Sequence, residues 1–429
     1  MRNSRLSSVA CAVALCVVSE ASAQELSQWS QWRGPYFNGS AKASNLPTQW
    51  STTENIAWKT ELPGPGAGTP SVAGDRIFLT ACAEDLTLQA ICLDRRSGEI
   101  LWRRSNGPGR EDRRRGNENS FAECSPVADA QLGIACFLFG NGRLVGYDFE
   151  GKELWTRDLV EEFGELRVGW GYASSPLLYE GRVYVQVLRT GESFVMAVHP
   201  KSGETIWRQV RLDEAVSESV EAYTSPLPFV NGDRKEILIF GADCLTSHDP
   251  ATGKEYWRWS NLNPGKRRNY RAVANALVGP EGFIYVVEPQ NNPLHALQVK
   301  GDEVKEVWTL DSPTPDVMTP LLYDGRLYVT DGKRRRRMVC LKPTTGENIW
   351  AAELETHTFI RASATAADGK IYMIDADGLV LVLAAGDEFR VISSIDMDSY
   401  PSRSNIVIDD NQLLIRTAEH LYCIGRQGQ

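Results

Sequence analysis

Three arginines occupy similar positions in the second half of the chain, each just ahead of a short apolar segment. They are Arg271, Arg361 and Arg403. A guanidinium group binds a carboxylate through two parallel hydrogen bonds, so arginines brought together would bind an anion. Trp170 and Tyr172 precede a comparable segment and would stack on a flat ring. These residues predict a site for an anionic planar ligand, unless the charges line a hydrated funnel and pair with one another.

Carboxylate and amide side chains occur at the same kind of position. Oxygens of this type are the ligands that calcium prefers in proteins, which makes a calcium site a second hypothesis here. Carboxylates beside a bound substrate also serve as general acids and bases, so a lyase or a hydrolase is a further alternative. The candidate metal ligands are Glu123, Glu221, Asn275 and Asp316.

Clusters of basic residues form another candidate surface. They contrast with two acidic stretches, residues 159–169 and 211–223. We expect an acidic sector facing a basic one, suited to an envelope protein or an acidic envelope polymer, with solvated loop charge as the alternative. The basic clusters are Arg113, Arg114 and Arg115, then Lys266, Arg267 and Arg268, and finally Arg334, Arg335, Arg336 and Arg337.

The composition excludes several classes of protein. Hydrophobic residues make up 42% and charged residues 24%, as in a soluble globular protein. The net charge of −9 argues against a general nucleic-acid binder. Neither an H-E-x-x-H nor a G-x-S-x-G motif occurs, so these two hydrolase classes are disfavoured. The 36 glycines and 12 tryptophans favour a repeat fold of short strands and turns.

The N-terminus has the features of an export signal. Arg2 and Arg5 precede an apolar run over residues 6–18, and small residues at 21–23 suit a signal peptidase. The run is too short for a membrane-spanning helix, and no later segment is long and apolar enough to be one. We therefore expect an exported protein of the periplasm or the extracellular space, without a transmembrane helix after cleavage.

The cysteines leave two alternatives open. Seven remain after cleavage, and Cys82 with Cys92, or Cys124 with Cys136, flank predicted hairpins and could form disulfides. The alternative is that each cysteine is a small buried residue within a strand. Because the number is odd, at least one cysteine is free or pairs between chains.

A tryptophan recurs at the end of a repeated pattern. Residues 93–102, 248–257 and 342–350 share a turn rich in Ser, Thr and Gly that leads to a tryptophan. A large rigid ring at this position would pack on the turn of a neighbouring repeat, with its indole N–H donating to a backbone acceptor. The anchors are Trp58, Trp102, Trp155, Trp207, Trp257, Trp308 and Trp350.

Each repeat reads as four antiparallel strands joined by Gly turns, which is the blade of a β-propeller. Seven full units begin near residues 69, 124, 174, 224, 274, 319 and 362, and a last unit covers residues 405–425. This last unit lacks a fourth strand, which residues 56–62 would supply. The sequence thus predicts an all-β, eight-bladed, monomeric propeller over residues 56–425, after a signal (1–23) and a cap or strap (24–55), with a short tail (426–429).

This architecture positions the candidate residues. Strands of a blade run alternately up and down, so the segments that join one blade to the next all lie on one face and lead into the innermost strands. Their last residues would rim the central channel. The anionic-ligand and calcium candidates named above fall in these segments, together with Tyr223 and Asn405.

The repeat resembles the tryptophan-docking motif of the pyrroloquinoline-quinone (PQQ) repeat superfamily, over residues 56–425. That superfamily includes quinoprotein dehydrogenases, which bind PQQ and calcium, and non-catalytic relatives such as the propeller of the outer-membrane-protein assembly machinery. The motif reports blade packing, not cofactor binding. The chain departs from the family's enzymes because it has no vicinal cysteine pair and no C-x-x-C-H haem motif, and because it is shorter. The resemblance therefore favours a non-catalytic binding scaffold without a cofactor, with a PQQ- and calcium-dependent dehydrogenase as the alternative.

Overall fold

The computed structural model describes residues 28–110, 119–290, 293–332, 336–397 and 401–425. The predicted signal sequence and the tail at 426–429 lie outside these ranges. The same holds for five of the candidate partner-binding arginines, which are Arg113, Arg114, Arg115, Arg334 and Arg335.

The described residues form eight four-stranded antiparallel sheets arranged as the blades of a propeller, which confirms the predicted all-β, eight-bladed fold. The strands are short and rich in β-branched and aromatic residues, and Gly turns separate them. Blade 1 contains β2 (Ser71–Ala73), β3 (Arg76–Cys82), β4 (Thr87–Asp94) and β5 (Ile100–Pro108); blade 2 contains β6 (Val127–Asp129), β7 (Ile134–Leu138), β8 (Arg143–Asp148) and β9 (Glu153–Asp158); blade 3 contains β10 (Leu177–Tyr179), β11 (Arg182–Val187), β12 (Phe194–Val198) and β13 (Thr205–Val210); blade 4 contains β14 (Leu227–Asn231), β15 (Arg234–Gly241), β16 (Cys244–His248) and β17 (Glu255–Trp259).

The second half of the ring repeats this order, with the first strand of each blade innermost. Blade 5 contains β18 (Leu277–Val278), β19 (Phe283–Val287), β20 (Leu294–Lys300) and β21 (Glu303–Leu310); blade 6 contains β22 (Leu321–Tyr323), β23 (Arg326–Asp331), β24 (Arg337–Leu341) and β25 (Asn348–Glu353); blade 7 contains β26 (Thr365–Ala367), β27 (Lys370–Ile374), β28 (Leu379–Ala384) and β29 (Val391–Asp396); blade 8 contains β30 (Val407–Asp409), β31 (Gln412–Arg416) and β32 (His420–Ile424).

The ring closes through the N-terminal strand, as predicted. Strand β1 (Ile56–Glu61) pairs antiparallel with β32 and completes blade 8, with Lys59 opposite Tyr422. Strand β1 belongs to blade 8 and is followed in the chain by blade 1. Its pairing with β32 therefore closes the ring by hydrogen bonds between the two ends of the fold.

The repeated tryptophans dock on the next blade, as the sequence predicts. The indole N–H of Trp102 donates to the carbonyl of Phe149 at 2.9 Å, and that of Trp155 donates to Pro200 at 2.7 Å. The turn glycine of the next blade makes the contact possible, since a Cβ on Gly203 would lie 2.5 Å from the Trp155 ring. Trp58, Trp207, Trp308 and Trp350 donate to backbone carbonyls in the same way.

Trp257 is the exception, and the sequence explains why. The turn of the following blade is the degenerate copy at residues 300–303, and the carbonyl of its Gly301 accepts from Asn231 and Arg234 rather than from an indole. The indole N–H of Trp257 instead donates to the carboxylate of Glu236 in its own blade, at 2.8 Å. Arg234 neutralises this buried carboxylate at 2.6 Å.

The core lies between neighbouring blades, where aliphatic and aromatic residues of adjacent sheets interdigitate. Seven cysteines lie in this interior, and all are free and buried, so neither disulfide pairing forms. Within the ranges given above, the helices are α1 (Leu159–Phe163) and two short 3₁₀ turns at Ser217–Val220 and Pro280–Gly282. Over the described ranges, no helix has the length and apolar character needed to span a membrane.

Candidate functional site

A cavity of about 280 Å³ lies where the segments between blades meet. All eight segments that lead into an innermost strand contribute to its wall, which places the cavity on the propeller axis, on the face that the inter-blade segments form. The position agrees with the channel rim that the blade connectivity predicts.

A closed circle of hydrogen-bonded residues surrounds the axis at the base of this wall. The backbone N–H of Thr69 donates to Ser125 Oγ at 2.8 Å, and that of Ser363 donates to Asn405 Oδ1 at 2.8 Å. The N–H of Asn405 then donates to Thr69 Oγ1 at 3.3 Å, so that the last blade bonds to the first. We call this circle the polar ring; its members are Thr69, Ser125, Ser175, Ser225, Asn275, Thr319, Ser363 and Asn405.

The polar ring leaves hydrogen-bond donors at the cavity. Ser125 Oγ and Ser175 Oγ each accept a backbone N–H, so their own hydroxyl hydrogens remain for another acceptor, and no described residue supplies one. Asn405 is 4% exposed, and its Nδ2 has no hydrogen-bond partner within the described part of the chain. A ligand rich in acceptor oxygens would satisfy these donors.

Side chains reach the cavity with a period of two. In each blade the residue two positions before the polar-ring member lines the wall, and Glu123, Tyr223, Arg361 and Arg403 occur at these positions. Alternate side chains of an extended segment point the same way, which explains the spacing. The residues between these two positions are buried or nearly so between blades, as Cys124 is.

The three candidate arginines all lie on this wall. The guanidinium of Arg361 packs over the Phe359 ring at 4.6 Å and makes no hydrogen bond to any described residue. Burial lowers the pKa of Arg361 and also that of Arg403. Partly desolvated cations of this kind attract an anion more strongly than surface arginines do.

Arg271 and Trp170 form one unit at the wall. The guanidinium lies 5.2 Å from the centre of the Trp170 ring. Glu218 holds both, since its Oε1 accepts the indole N–H at 2.9 Å and lies 3.6 Å from the guanidinium Nη1 of Arg271. The backbone N–H of Trp170 donates to the hydroxyl of Tyr223 at 3.0 Å. The indole is therefore fixed in place beside the cavity.

Glu123 is the carboxylate on this wall. Its Oε1 accepts the backbone N–H of Ser120 at 2.8 Å, whereas its buried Oε2 has no hydrogen-bond partner among the described residues. Burial raises the pKa of Glu123 to about 7, and the charge of Arg416 offsets only part of this. The carboxyl group therefore titrates near neutral pH, in a cavity that three arginines also line.

Four other candidates do not line the cavity. Tyr172 is buried between blades and donates to the Gln186 carbonyl at 2.7 Å. The Oε2 of Glu221 accepts the N–H of Gly169 at 2.7 Å. Asn275 belongs to the polar ring, where its Nδ2 donates to Ser225, and Asp316 accepts the N–H of Gln290 at 3.2 Å.

The proposed calcium ligands are therefore not gathered around one point. Each of the four bonds to a different neighbour, and only Glu123 faces the cavity. Within the described ranges, no group of three or more His, Cys, Asp or Glu side chains is placed to hold a metal ion. The arrangement fits an anionic organic ligand better than it fits a calcium ion.

Two of the charged loops are in contact. Lys266 pairs with Glu214 at 3.2 Å, so the basic and acidic stretches around blade 4 partly neutralise each other. Arg267 packs over the Tyr270 ring at 5.1 Å, and Arg268 is exposed. Arg336 donates to the Thr356 carbonyl at 2.6 Å, whereas its neighbour Arg337 begins strand β24.

The polar ring as a set and Trp32 escaped the sequence prediction, although Asn275 and Asn405 of the ring were named as candidates. The polar ring has a visible signal, since Thr, Ser or Asn recurs at one position of every repeat. Trp32 also lines the cavity, although it precedes the first strand. Trp32 lies outside the repeats, so no alignment with another copy could indicate its position.

Comparisons with known proteins agree with the fold. One curated relative, a polyvinylalcohol dehydrogenase from a Pseudomonas species, is 21% identical over 372 residues, which cover 76% of this chain and 51% of that protein. The chain thus spans about half the length of this relative.

Solved structures with this fold include a BamB and quinohemoprotein alcohol dehydrogenases. BamB from Moraxella catarrhalis superposes with a TM-score of 0.62 at 15% identity, over 86% of this chain and 99% of that one. A quinohemoprotein alcohol dehydrogenase from Comamonas testosteroni gives a TM-score of 0.69 at 12% identity, over 95% of this chain and 82% of that one. At such identities these likenesses establish the fold alone.

The family assignment rests on the sequence itself. The profile of the PQQ-repeat family described as outer membrane protein assembly factor BamB matches residues 40–134, 92–309 and 301–391. These matches overlap and together cover most of the chain. The protein therefore belongs to this family of PQQ-repeat propellers.

Proposed function

We propose that this chain is an exported, non-catalytic binding protein of the cell envelope whose axial cavity takes a small planar anion. The observation that carries the proposal is the composition of the cavity wall, where three guanidinium groups and the donors of the polar ring surround one space. Trp170, Trp32 and Tyr223 add flat surfaces to the same wall. Donors at the edges and aromatic rings at the faces are complementary to a planar polycarboxylate.

Pyrroloquinoline quinone is a ligand of this chemical class. The guanidinium groups of Arg271, Arg361 and Arg403 fit its carboxylates. The dispersed carboxylate and amide side chains do not fit the calcium ion that accompanies it in the family's dehydrogenases. We therefore expect binding of the organic anion to need no added calcium.

Isothermal titration calorimetry tests this expectation. PQQ and a redox-inert benzene tricarboxylate would be titrated into the full chain, each with calcium and with a chelator. We expect both to bind, and Arg361→Gln to weaken binding about tenfold to a hundredfold through loss of a charge-assisted hydrogen bond. Arg326→Gln is the matched control, because Arg326 of blade 6 is bonded to Asp387 of blade 7 and does not line the cavity. Failure of both anions to bind at any calcium concentration would remove the proposal.

A second candidate function is a PQQ-dependent alcohol dehydrogenase. The observation in its favour is Glu123, a carboxyl group at the cavity with a pKa of about 7, which is suited to accept a proton from an alcohol. A dye-linked oxidation assay with PQQ and calcium, using primary alcohols and polyvinyl alcohol, separates the two functions. Turnover that disappears in Glu123→Gln would establish the enzyme and contradict the non-catalytic proposal.

The basic loops support the envelope part of the proposal. Lys266, Arg267 and Arg268 lie on the loop between blades 4 and 5, where they would meet an acidic envelope polymer or protein partner. Capture from envelope extracts at low and high salt should yield a salt-sensitive partner, which charge reversal at these three positions should abolish. Salt-sensitive capture that survives the reversal would exclude this loop as the contact.

A further inference from the structure

The segment before the first strand runs along the channel from the face opposite the cavity. The side chain of Gln28 exchanges two hydrogen bonds with the backbone of Gly74, at 3.2 and 2.8 Å. Gly74 lies in the turn between β2 and β3, at the other end of the innermost strand from Thr69. Residues 28–41, which we call the plug, therefore start at the far mouth of the channel.

The plug bonds to the innermost strands of three successive blades. The carbonyl of Trp29 accepts the N–H of Val72 at 2.8 Å, and that of Ser30 accepts the N–H of Ala128 at 3.0 Å. The side-chain oxygen of Gln31 accepts the N–H of Leu178 at 3.1 Å. Each donor lies three residues beyond its polar-ring member, which is about 10 Å along an extended strand. The plug thus occupies the channel on the far side of the polar ring.

Arg33 anchors the plug to the other side of the channel. Its guanidinium donates to the carbonyl oxygens of Ala364 and Pro320, both at 2.9 Å, in blade 7 and just before blade 6. The residue is 1% exposed, and burial lowers its pKa to about 9. Gly39 is required beside it, because a Cβ there would lie 2.4 Å from the guanidinium. The arginine is enclosed by backbone and cannot swing out.

Trp32 sits between these two attachments. Gln31 is bonded at blade 3 and Arg33 at blades 6 and 7, so the intervening residue crosses the middle of the channel. Among the plug residues, Trp32 is the one that lines the cavity. Its indole N–H has no hydrogen-bond partner in the described ranges, which leaves both its ring face and its donor to the cavity.

We propose that the plug closes the channel and supplies Trp32 as the floor of the ligand site. The planar anion then stacks on the Trp32 ring, its carboxylates reach the arginines around it, and it enters and leaves only through the inter-blade face. The role of Trp32 in ligand binding rests on the proposed function, whereas the closure of the channel does not.

Hydrogen exchange in the full chain tests the closure without any ligand. The amides of Val72, Ala128 and Leu178 should exchange at least a hundredfold more slowly than exposed loop amides such as that of Gly191, because the plug accepts their hydrogen bonds. Arg33→Gln should speed their exchange selectively. Exchange of these three amides at loop rates in the unaltered chain would overturn the closure.

Calorimetry with PQQ and a benzene tricarboxylate tests the floor. We expect Trp32→Leu to weaken binding about tenfold, and Trp32→Phe, which keeps a ring, to stay within about threefold. Trp50→Phe is the control, since Trp50 is buried in the same N-terminal region but away from the cavity. Unchanged affinity in Trp32→Leu would refute the floor while the proposed function stands. Absence of binding to the unaltered chain would refute both, whatever the exchange rates show.

Discussion

Glu123 is held at one oxygen and unpartnered at the other. Its Oε1 accepts hydrogen bonds from Ser120, and its Oε2 is buried at the cavity without a partner in the described ranges. A buried carboxylate of this kind is costly when charged, which is why its pKa rises to about 7. At the scale of the residue, the cavity therefore contains a group that is neutral in mild acid and negative in mild base.

This raised pKa predicts a pH-dependent cost to stability. The folded chain holds the Glu123 proton up to about pH 7, whereas the unfolded chain releases it near pH 4.5, so stability falls as pH rises between these values. Glu123→Gln keeps the acceptor for Ser120 but cannot ionise. We expect the variant to gain about 2 to 3 kcal/mol over the wild type between pH 5 and pH 8. Urea unfolding at both pH values measures this, and an equal difference at the two pH values would contradict it.

At the scale of the element, five of the junctions between described blades contain a tryptophan that packs on a turn glycine of the next blade. The glycine at this turn serves two purposes. Gly203 has a φ of +69°, which favours a residue without a side chain, and it lies against the Trp155 ring. The turn is thus shaped both by its own backbone and by the neighbouring blade.

Two alanine substitutions separate these effects. Gly181 has nearly the same φ, +67°, but a Cβ added there meets nothing within 4 Å. We expect Gly181→Ala to cost about 1 kcal/mol from the backbone alone. Gly203→Ala should cost about 1 to 3 kcal/mol more, because the Cβ would lie 2.5 Å from the Trp155 ring. Equal losses in thermal or urea unfolding would mean that the docking contact adds nothing.

The elements that repeat were predictable, and those that do not repeat were not. The Trp anchors, the Gly turns and the closing strand β1 each occur in a register that other copies fix, so their places followed from the sequence. Tyr172 was assigned to the rim, but it falls outside the alternation that brings Glu123 and Arg361 to the cavity. Glu221 keeps this alternation but lies two residues before Tyr223, which lines the wall. Applying that two-residue period from the start of each innermost strand would have excluded Tyr172. The position of Trp32 could not be predicted, because it depends on the course of the plug, which has no counterpart elsewhere in the chain.

At the scale of the whole molecule, the first and last blades are joined by more than the β1–β32 pairing. Arg95 of blade 1 binds Asp409 of blade 8 at 2.6 Å, and the carboxylate side chain is only 4% exposed. Arg416 of blade 8 is buried and donates to the carbonyls of Gly68 and Thr80 in the first repeat, at 2.8 and 2.6 Å. Side-chain ion pairs and hydrogen bonds therefore hold this junction in addition to the backbone hydrogen bonds between β1 and β32.

Removing Arg95 should weaken this junction strongly. Arg95→Ala leaves Asp409 charged and buried without its partner, which we expect to cost about 3 to 5 kcal/mol. Arg326→Ala is the control, because its partners Asp324 and Asp387 are 72% and 68% exposed and the loss should stay below about 1 kcal/mol. Adding Asp409→Asn to Arg95→Ala should restore part of the stability. Similar urea midpoints for the two arginine variants would show that the junction does not depend on this ion pair.

The plug also constrains the order in which the molecule can be assembled. Arg33 finds its carbonyl acceptors 287 and 331 residues later in the chain, and β1 pairs with the last strand of all. Residues 28–61 are synthesised before blades 1 to 7, yet the channel that receives them does not exist until blades 6 and 7 have formed. Contacts so distant in sequence form slowly, because a long loop must close before they stabilise anything. The segment made early is therefore fixed late, and the ligand cavity gains its floor only when the circle of blades is nearly complete.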